Sequence, residues 1–427
     1  MSEEKAVETQ PQEEQNAPEE QKHKSVWQVL SQRAFLTVFV GNILVCISFN
    51  IINAGLVVNF TENYGMNAAV VGTVVSMFSF LSLIMKPISS PIIDRFDRKK
   101  LLILAYVILA AGTVGMAFAS EVVSLYTFQV IRGIGWGASM GLNAVILADV
   151  VGKADYGIAS GLFMLGPVVG SSVVSPFAIP VADAIGFSGL FLVAAAVALL
   201  DALLTATMPY KWKKPAPKDP AQKKQKKGIH IRDFIDWASV PYMLVSAMFS
   251  IAVYGQGSTI LLAYGRADLA IANVGIMVTV HNVIMYFSRP VFGRIIDKKG
   301  ARWGLIPGFF AVAVANLVTA ASTDMWGLLL ASIIYGIGGG GLIGSRTMAI
   351  KGAPDDRIGV AGNTYLMGSD IGQTLGPIVF TGIAALVGGM YRPAYIILGV
   401  VPLVGFVIWM IFIKVLLKRH PKNEMGW

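Results

Sequence analysis

One cysteine, Cys46, stands among 427 residues, which excludes an internal disulfide framework and any zinc site built on cysteines. Charge is scarce as well: Asp, Glu, Lys and Arg make up 14% of the chain, against roughly 25% in an ordinary soluble protein. That deficit excludes a water-soluble enzyme and a disordered tail protein. Alternating segments of about ten residues, the mark of a porin-type barrel, are missing too. So are the signatures of catalysis: the chain has no Ser/His/Asp arrangement, no zinc-type His/Glu spacing and no phosphate-cradling loop followed by Lys-Ser/Thr. Neither enzymatic activity nor a cofactor or metal is expected. The glycine run Gly336–Gly341 sits inside an apolar stretch with no strand before it and reads as helix packing.

What the chain has instead is apolar length. Hydrophobic residues make up 55%, and mean hydropathy is +0.65. They fall in runs near the ~20 residues that a helix needs to cross a bilayer. Twelve such spans are predicted: 34–60, 67–87, 101–120, 123–148, 157–180, 187–208, 240–264, 271–291, 303–322, 325–349, 358–388 and 394–416. The 45 Gly and 19 Pro are compatible with this, because neighbouring helices satisfy freed backbone groups in a membrane. Residues 1–24 hold seven Glu and three Lys among Gln, Pro and Ala, and read as a disordered polar tail rather than a signal peptide.

An even number of spans puts both termini on one side. Of 34 Lys and Arg, Arg266 and Arg392 alone fall in loops of the opposite side, and Arg132 lies inside a span. The positive-inside rule therefore predicts cytoplasmic termini in a multi-pass protein of the plasma or inner membrane. It also accounts for the net charge of +9 without a nucleic-acid partner. The densest cluster, Lys211–Lys227, reads as a topology-fixing linker; contact with anionic lipid is the alternative.

The sequence is internally duplicated. A shift of 203 residues lays Val71-Gly72 on Val274-Gly275 and Ile92-Ile93-Asp94-Arg95 on Ile295-Ile296-Asp297-Lys298. It also lays Gly133, Gly135 and Gly137 on Gly336, Gly338 and Gly340. A shift of 202 lays Gly157, Gly166 and Gly170 on Gly359, Gly368 and Gly372. The fold class that follows is an all-α membrane protein of two six-helix halves in parallel repeat, with a site between them near the midplane. The expected divisions are an acidic tail over 1–30, halves over 31–208 and 240–418, a basic linker over 209–239 and a tail over 419–427.

The loop after the second span of each half carries a resemblance. Gly293-Arg-Ile-Ile-Asp297-Lys298-Lys-Gly300-Ala-Arg302 is similar to the Gly-x-x-x-Asp-Arg-x-Gly-Arg-Lys loop of the major facilitator superfamily. Ser90-Pro-Ile-Ile-Asp94-Arg95-Phe-Asp97-Arg98-Lys99 is a second copy with both glycines replaced. Gly166-Pro167-Val-Val-Gly170-Ser171 resembles the Gly-Pro-x-x-Gly-Gly motif of its exchangers. In the fourth span Gln129-Val-Ile-Arg132-Gly133 departs from Arg-x-x-Gln-Gly, with Gln at the Arg position and Arg one turn later. The resemblance covers roughly residues 30–420. It implies a twelve-helix secondary transporter, akin to the drug and sugar–proton antiporters, that rocks between two states. It also implies a cytoplasmic gate at Asp94, Arg95, Arg98, Asp297, Lys298 and Arg302.

Ionisable groups at membrane depth cost ~2.5–3.5 kcal/mol on insertion scales, so their default reading is functional. Asp370, about thirteen residues into span eleven, is the expected proton carrier, with His281 as a relay. Arg132 is expected to bind an anionic substrate group or to pair with Asp370. Asn50, Asn53, Gln256 and Gln373 are expected to contact substrate, while Asp149, Asp201 and Arg289 read as residues of the cytoplasmic helix ends. The function that follows is proton-coupled efflux of a small organic molecule by a monomer. Uptake or exchange of an organic anion is the alternative, and a non-transporting receptor the alternative from another class.

Overall fold

The computed structural model describes residues 26–93, 96–163, 165–212, 235–255, 258–271, 273–300, 302–341, 348–349 and 358–419. Most of the acidic tail, most of the basic linker and the C-terminal tail lie outside the described residues, as do Asp94, Arg95 and Gln256. Every regular element among the described residues is helical. The first half comprises α1 (Val26–Leu30), α2 (Arg33–Val58) with a π-helical turn Asn59–Asn63, α3 (Ala68–Ile93), α4 (Arg98–Phe118), α5 (Val122–Phe163) and α6 (Leu165–Thr207). The second comprises α7 (Val240–Gly255), α8 (Ser258–Ala267), α9 (Gly275–Lys299), α10 (Arg302–Ala321), α11 (Met325–Gly341), α12 (Ile358–Leu386) and α13 (Tyr391–Arg419).

The predicted spans map onto these helices in order, with two adjustments. The fifth and sixth spans share α6, which breaks at Gly186, where φ is +78°, a region that side chains with a Cβ avoid. The start of the fifth span, 157–163, forms the last turns of α5. The seventh span is divided between α7 and α8. Asp97, the residue that replaces a glycine in the first-half loop, has a clear role: it is the N-cap of α4, and its side chain accepts from the amides of Lys99 and Lys100.

The duplication is also a duplication of packing. A Cβ on Gly133 would sit 2.9 Å from the Phe78 carbonyl oxygen, and one on Gly336 would sit 2.7 Å from that of His281. Phe78 and His281 are themselves 203 apart. Gly170 meets the backbone of α2 at Cys46 and Ile47, as Gly372 meets that of α7 at Ser250 and Ile251. Small residues at such crossings let helix backbones approach, the dominant packing device where lipid removes the hydrophobic drive between helices. Phe118, Leu203 and Phe287 are 72%, 66% and 67% exposed. Spread around a helical bundle, such side chains form the surface that meets lipid.

Among the described residues the two halves touch away from the termini, on the far face. Gly72 of α3 packs against Thr381 of α12, and Gly275 of α9 packs against the Ser175 carbonyl of α6. Thr279 donates to the Ser172 carbonyl at 2.7 Å, and Asn282 donates to Ser171 Oγ at 2.5 Å. Arg266 at the end of α8 pairs with Glu62 and Asp183 of the other half. Arg392, the other basic residue of the far loops, donates to the Ala320 and Ala321 carbonyls that end α10.

Candidate functional site

Below the far-face contacts lies a cavity of about 490 Å³, lined by residues of both halves. Helical spacing supplies its walls: Cys46, Phe49, Asn50, Asn53 and Val57 project from one face of α2, and Val278, His281, Asn282, Met285 and Arg289 from one face of α9. The volume suits a drug-sized or smaller organic molecule.

The two walls differ in chemistry, and the repeat shows where. The first half contributes an aromatic cluster: Phe49 and Trp136 stack with centroids 4.4 Å apart, and Phe78 lies 5.2 Å from Phe49 and 5.9 Å from Trp136. The positions 203 residues later are Ala252, His281 and Gly339. Bulk on one wall thus faces small or polar residues on the other. The His281 ring meets Tyr335 edge-on at 4.2 Å, and among the described residues neither its Nε2 nor the Tyr335 hydroxyl has a hydrogen-bond partner. Buried polar atoms left unpaired are costly, and here both belong to side chains lining the cavity. Arg289 supplies positive charge to the same wall, and among the described lining residues there is no Asp or Glu.

The expected site residues divide accordingly. Asn50, Asn53, His281 and Gln373 line the cavity. The Asn50 amide nitrogen is engaged by the Cys46 carbonyl at 2.8 Å. Asp370 follows the lining residue Ser369 on α12, and Tyr254 lies within electrostatic reach of both Asp370 and Arg289. Gln256 lies outside the described residues.

Arg132 is placed elsewhere than expected. It is 1% exposed, does not line the cavity and is packed inside its own half. Its guanidinium lies 5.0 Å from the Phe78 ring centroid and donates to Gln129, while Gly112 of α4 leaves room for its stem. The exchanged Gln and Arg of the fourth-span motif are thus bonded to each other one turn apart. The arginine that lines the cavity is Arg289 and not Arg132.

Of the gate residues, Arg98 bonds Asp149 at 2.5 Å within the first half, and Tyr210 donates to the same carboxylate. Burial and the Asp149 charge push the Tyr210 phenol well above its ordinary range. Lys298 is exposed on the last turn of α9, which also carries Asp297. Arg302 lies 5.9 Å from the Trp303 ring centroid. Asp94 and Arg95 lie outside the described residues.

Of the residues assigned to helix ends by sequence, Arg289 lines the cavity and Asp201 is buried within the bundle. α9 runs to Lys299, so Arg289 lies ten residues from its end, ~15 Å at 1.5 Å per residue. Asp201 is fully buried. A predicted end of the eighth span at 291 puts Arg289 within two residues of a helix boundary, whereas α9 runs on to Lys299.

Comparison with known proteins agrees with this architecture. The Major Facilitator Superfamily profile matches residues 38–271 and 243–426. The uncharacterized MFS-type transporter YcnB of Bacillus subtilis is 24% identical over 87% of this chain and 94% of its own length. The multi-drug resistance efflux pump PmrA of Streptococcus pneumoniae is 24% identical over 77% of this chain and 84% of its own. Among solved structures, a bacterial homologue of the human lysosomal transporter Spinster superposes with a TM-score of 0.72 at 16% identity, covering 91% of this chain and 98% of that one. With the family profile met in both halves, a repeat written into sequence and packing alike, and a cavity between the halves, the chain belongs to the major facilitator superfamily of membrane transporters.

Proposed function

We propose that this transporter expels a small organic molecule in exchange for protons, working as a monomer whose two halves rock about the shared cavity. The observation that carries the reading is that cavity, with the close inter-half contacts at Gly72, Gly275 and Arg266 all on its far side. Such an arrangement is one end of an alternating-access cycle. With the basic loops cytoplasmic, it is the inward-facing end. Efflux is supported by the relative named as a multi-drug resistance efflux pump.

The aromatic cluster of Phe49, Phe78 and Trp136 would hold a planar or apolar moiety, and Asn53, His281 and Gln373 its polar groups. Asp370 is the proposed proton carrier, because it follows the lining residue Ser369 and has Tyr254, itself within electrostatic reach of Arg289, as a neighbour. A proton on Asp370 would change the charge beside Arg289 and so the strength with which that wall holds a polar substrate. Asp94, Arg95, Arg98, Asp297, Lys298 and Arg302 are proposed to hold the cytoplasmic side in the opposite state.

One observation favours a second reading. Arg289 lines the cavity and no Asp or Glu does among the described lining residues, the charge balance suited to an organic anion. The test is purified protein in liposomes loaded with a pH-reporting dye and offered lipophilic cations, sugars and carboxylates. Substrate-driven proton movement lost in Asp370→Asn supports coupled efflux. Carboxylate flux without proton movement, unchanged in Asp370→Asn and lost in Arg289→Gln, replaces it with anion exchange.

A further inference from the structure

We infer that Asp201 is a proton-binding site of the first half, set behind the cavity wall and distinct from Asp370. Asp201 lies on α6 six residues before its end at Thr207 and is completely buried among α2, α4 and α6. Its carboxyl presses against the α2 backbone: a Cβ on Gly41 would sit 2.6 Å from Oδ1. The Tyr106 hydroxyl is an electrostatic neighbour, and among the described residues neither carboxyl oxygen of Asp201 has a hydrogen-bond partner. That hydroxyl accepts from the Asn143 amide at 2.8 Å and keeps its own proton to give.

No cation among the described residues pairs with the carboxyl. Lys99, at the start of α4, donates to the Met208 carbonyl at 2.8 Å instead. The titratable neighbours on the packed helices are Tyr106 of α4 and Cys46 of α2, both neutral in their ordinary protonated forms. A carboxylate held in this position would be an uncompensated charge in a low-dielectric core, and such a group takes up a proton instead.

A proton held there has a short way out. Cys46 lines the cavity, and a Cβ at Gly41, five residues earlier on α2, would touch the Asp201 carboxyl. One helix therefore separates bound proton from cavity. The position 203 residues later is Val404, so the second half has no counterpart and the site is a property of the first half alone.

Infrared spectroscopy of the purified full-length protein tests this without any substrate. The carbonyl stretch of a protonated carboxylic acid should be present at neutral pH, absent in Asp201→Asn and retained in Asp370→Asn. On transfer to D2O it should shift within minutes. Tyr106→Phe keeps the carboxyl and removes the neighbouring hydroxyl; it should move the band without abolishing it, which serves if Asp201→Asn does not fold. A band identical in wild type and Asp201→Asn, or one that fails to shift in D2O over hours, overturns the inference. The coupling assigned to Asp370 fails separately, by proton movement that survives Asp370→Asn in liposomes.

Discussion

Arg266 and Asp183 face each other across the two halves in a bidentate pair, Nη1 to Oδ2 at 3.2 Å and Nη2 to Oδ1 at 3.1 Å. The Nε of the same guanidinium reaches Glu62 at 3.2 Å. The three side chains are 33%, 52% and 36% exposed, so water and salt screen them. Exposed pairs contribute ~0.2–1 kcal/mol each, little for folding but sufficient to bias two states of similar energy. Arg266→Gln should therefore raise the far-face-open population about two- to five-fold. The measurement is the labelling rate of a thiol placed at Val57, a buried lining residue, in a Cys46→Ser background. The gain should shrink at high salt; equal rates at every ionic strength would remove the latch from the mechanism.

The cap of α4 makes a local prediction. Asp97→Ala should cost about 1 kcal/mol, the usual loss of a side-chain N-cap, and lower the melting temperature of the purified protein. Asp97→Asn should cost much less, because an amide oxygen still accepts from the Lys99 and Lys100 amides. Similar losses for both would mean that the charge, and not the cap, is what matters.

The aromatic wall should set selectivity. Trp136→Ala removes the ring stacked on Phe49, and aromatic pairs contribute ~0.5–1.5 kcal/mol beyond area burial. KM for an aromatic substrate should rise about three- to ten-fold while an aliphatic substrate is spared and proton movement persists. An equal rise for both would make the cluster packing only.

Arg289→Gln tests the charge of the opposite wall. A hydrogen bond to a charged group is worth about 1.5–3 kcal/mol, so KM for a carboxylate substrate should rise at least ten-fold, with little change for a neutral analogue. Parallel losses for both would place Arg289 in helix packing.

Much of this architecture was legible in the sequence, because helix length and glycine register obey bilayer thickness and close packing. The match of Gly133 with Gly336 foretold two crossings before either was seen. What the repeat could not convey was which way a side chain turns. Arg132 and Tyr335 occupy equivalent positions; Tyr335 lines the cavity, while Arg132 turns inward because Gly112 leaves it space and Gln129 accepts its hydrogen. For Asp201 the sequence points to a helix-end charge, since nothing in the α6 segment reports that Gly41 and Tyr106 lie over it. The inter-half bonds of Arg266 are equally hidden, as they join three helical segments distant in sequence.

Gly275→Ala carries the last prediction. A Cβ there would collide with the Ser175 carbonyl, so the far face could not close as described. Turnover should fall for every substrate at unchanged expression and unchanged KM, measured beside Trp136→Ala, whose effect depends on the substrate.

The same contact bears on how such a protein diversifies. At Gly275 the seal is formed by an α-carbon against a carbonyl, and at Gly72 by an α-carbon against Thr381. Neither glycine has a side chain that must also recognise cargo. The Gly275 contact is therefore separate from the cavity lining, whereas Gly72 and Thr381 belong to both. Exchange of Phe49, Trp136 or Arg289 would alter the lining and leave the Gly275 contact as it is.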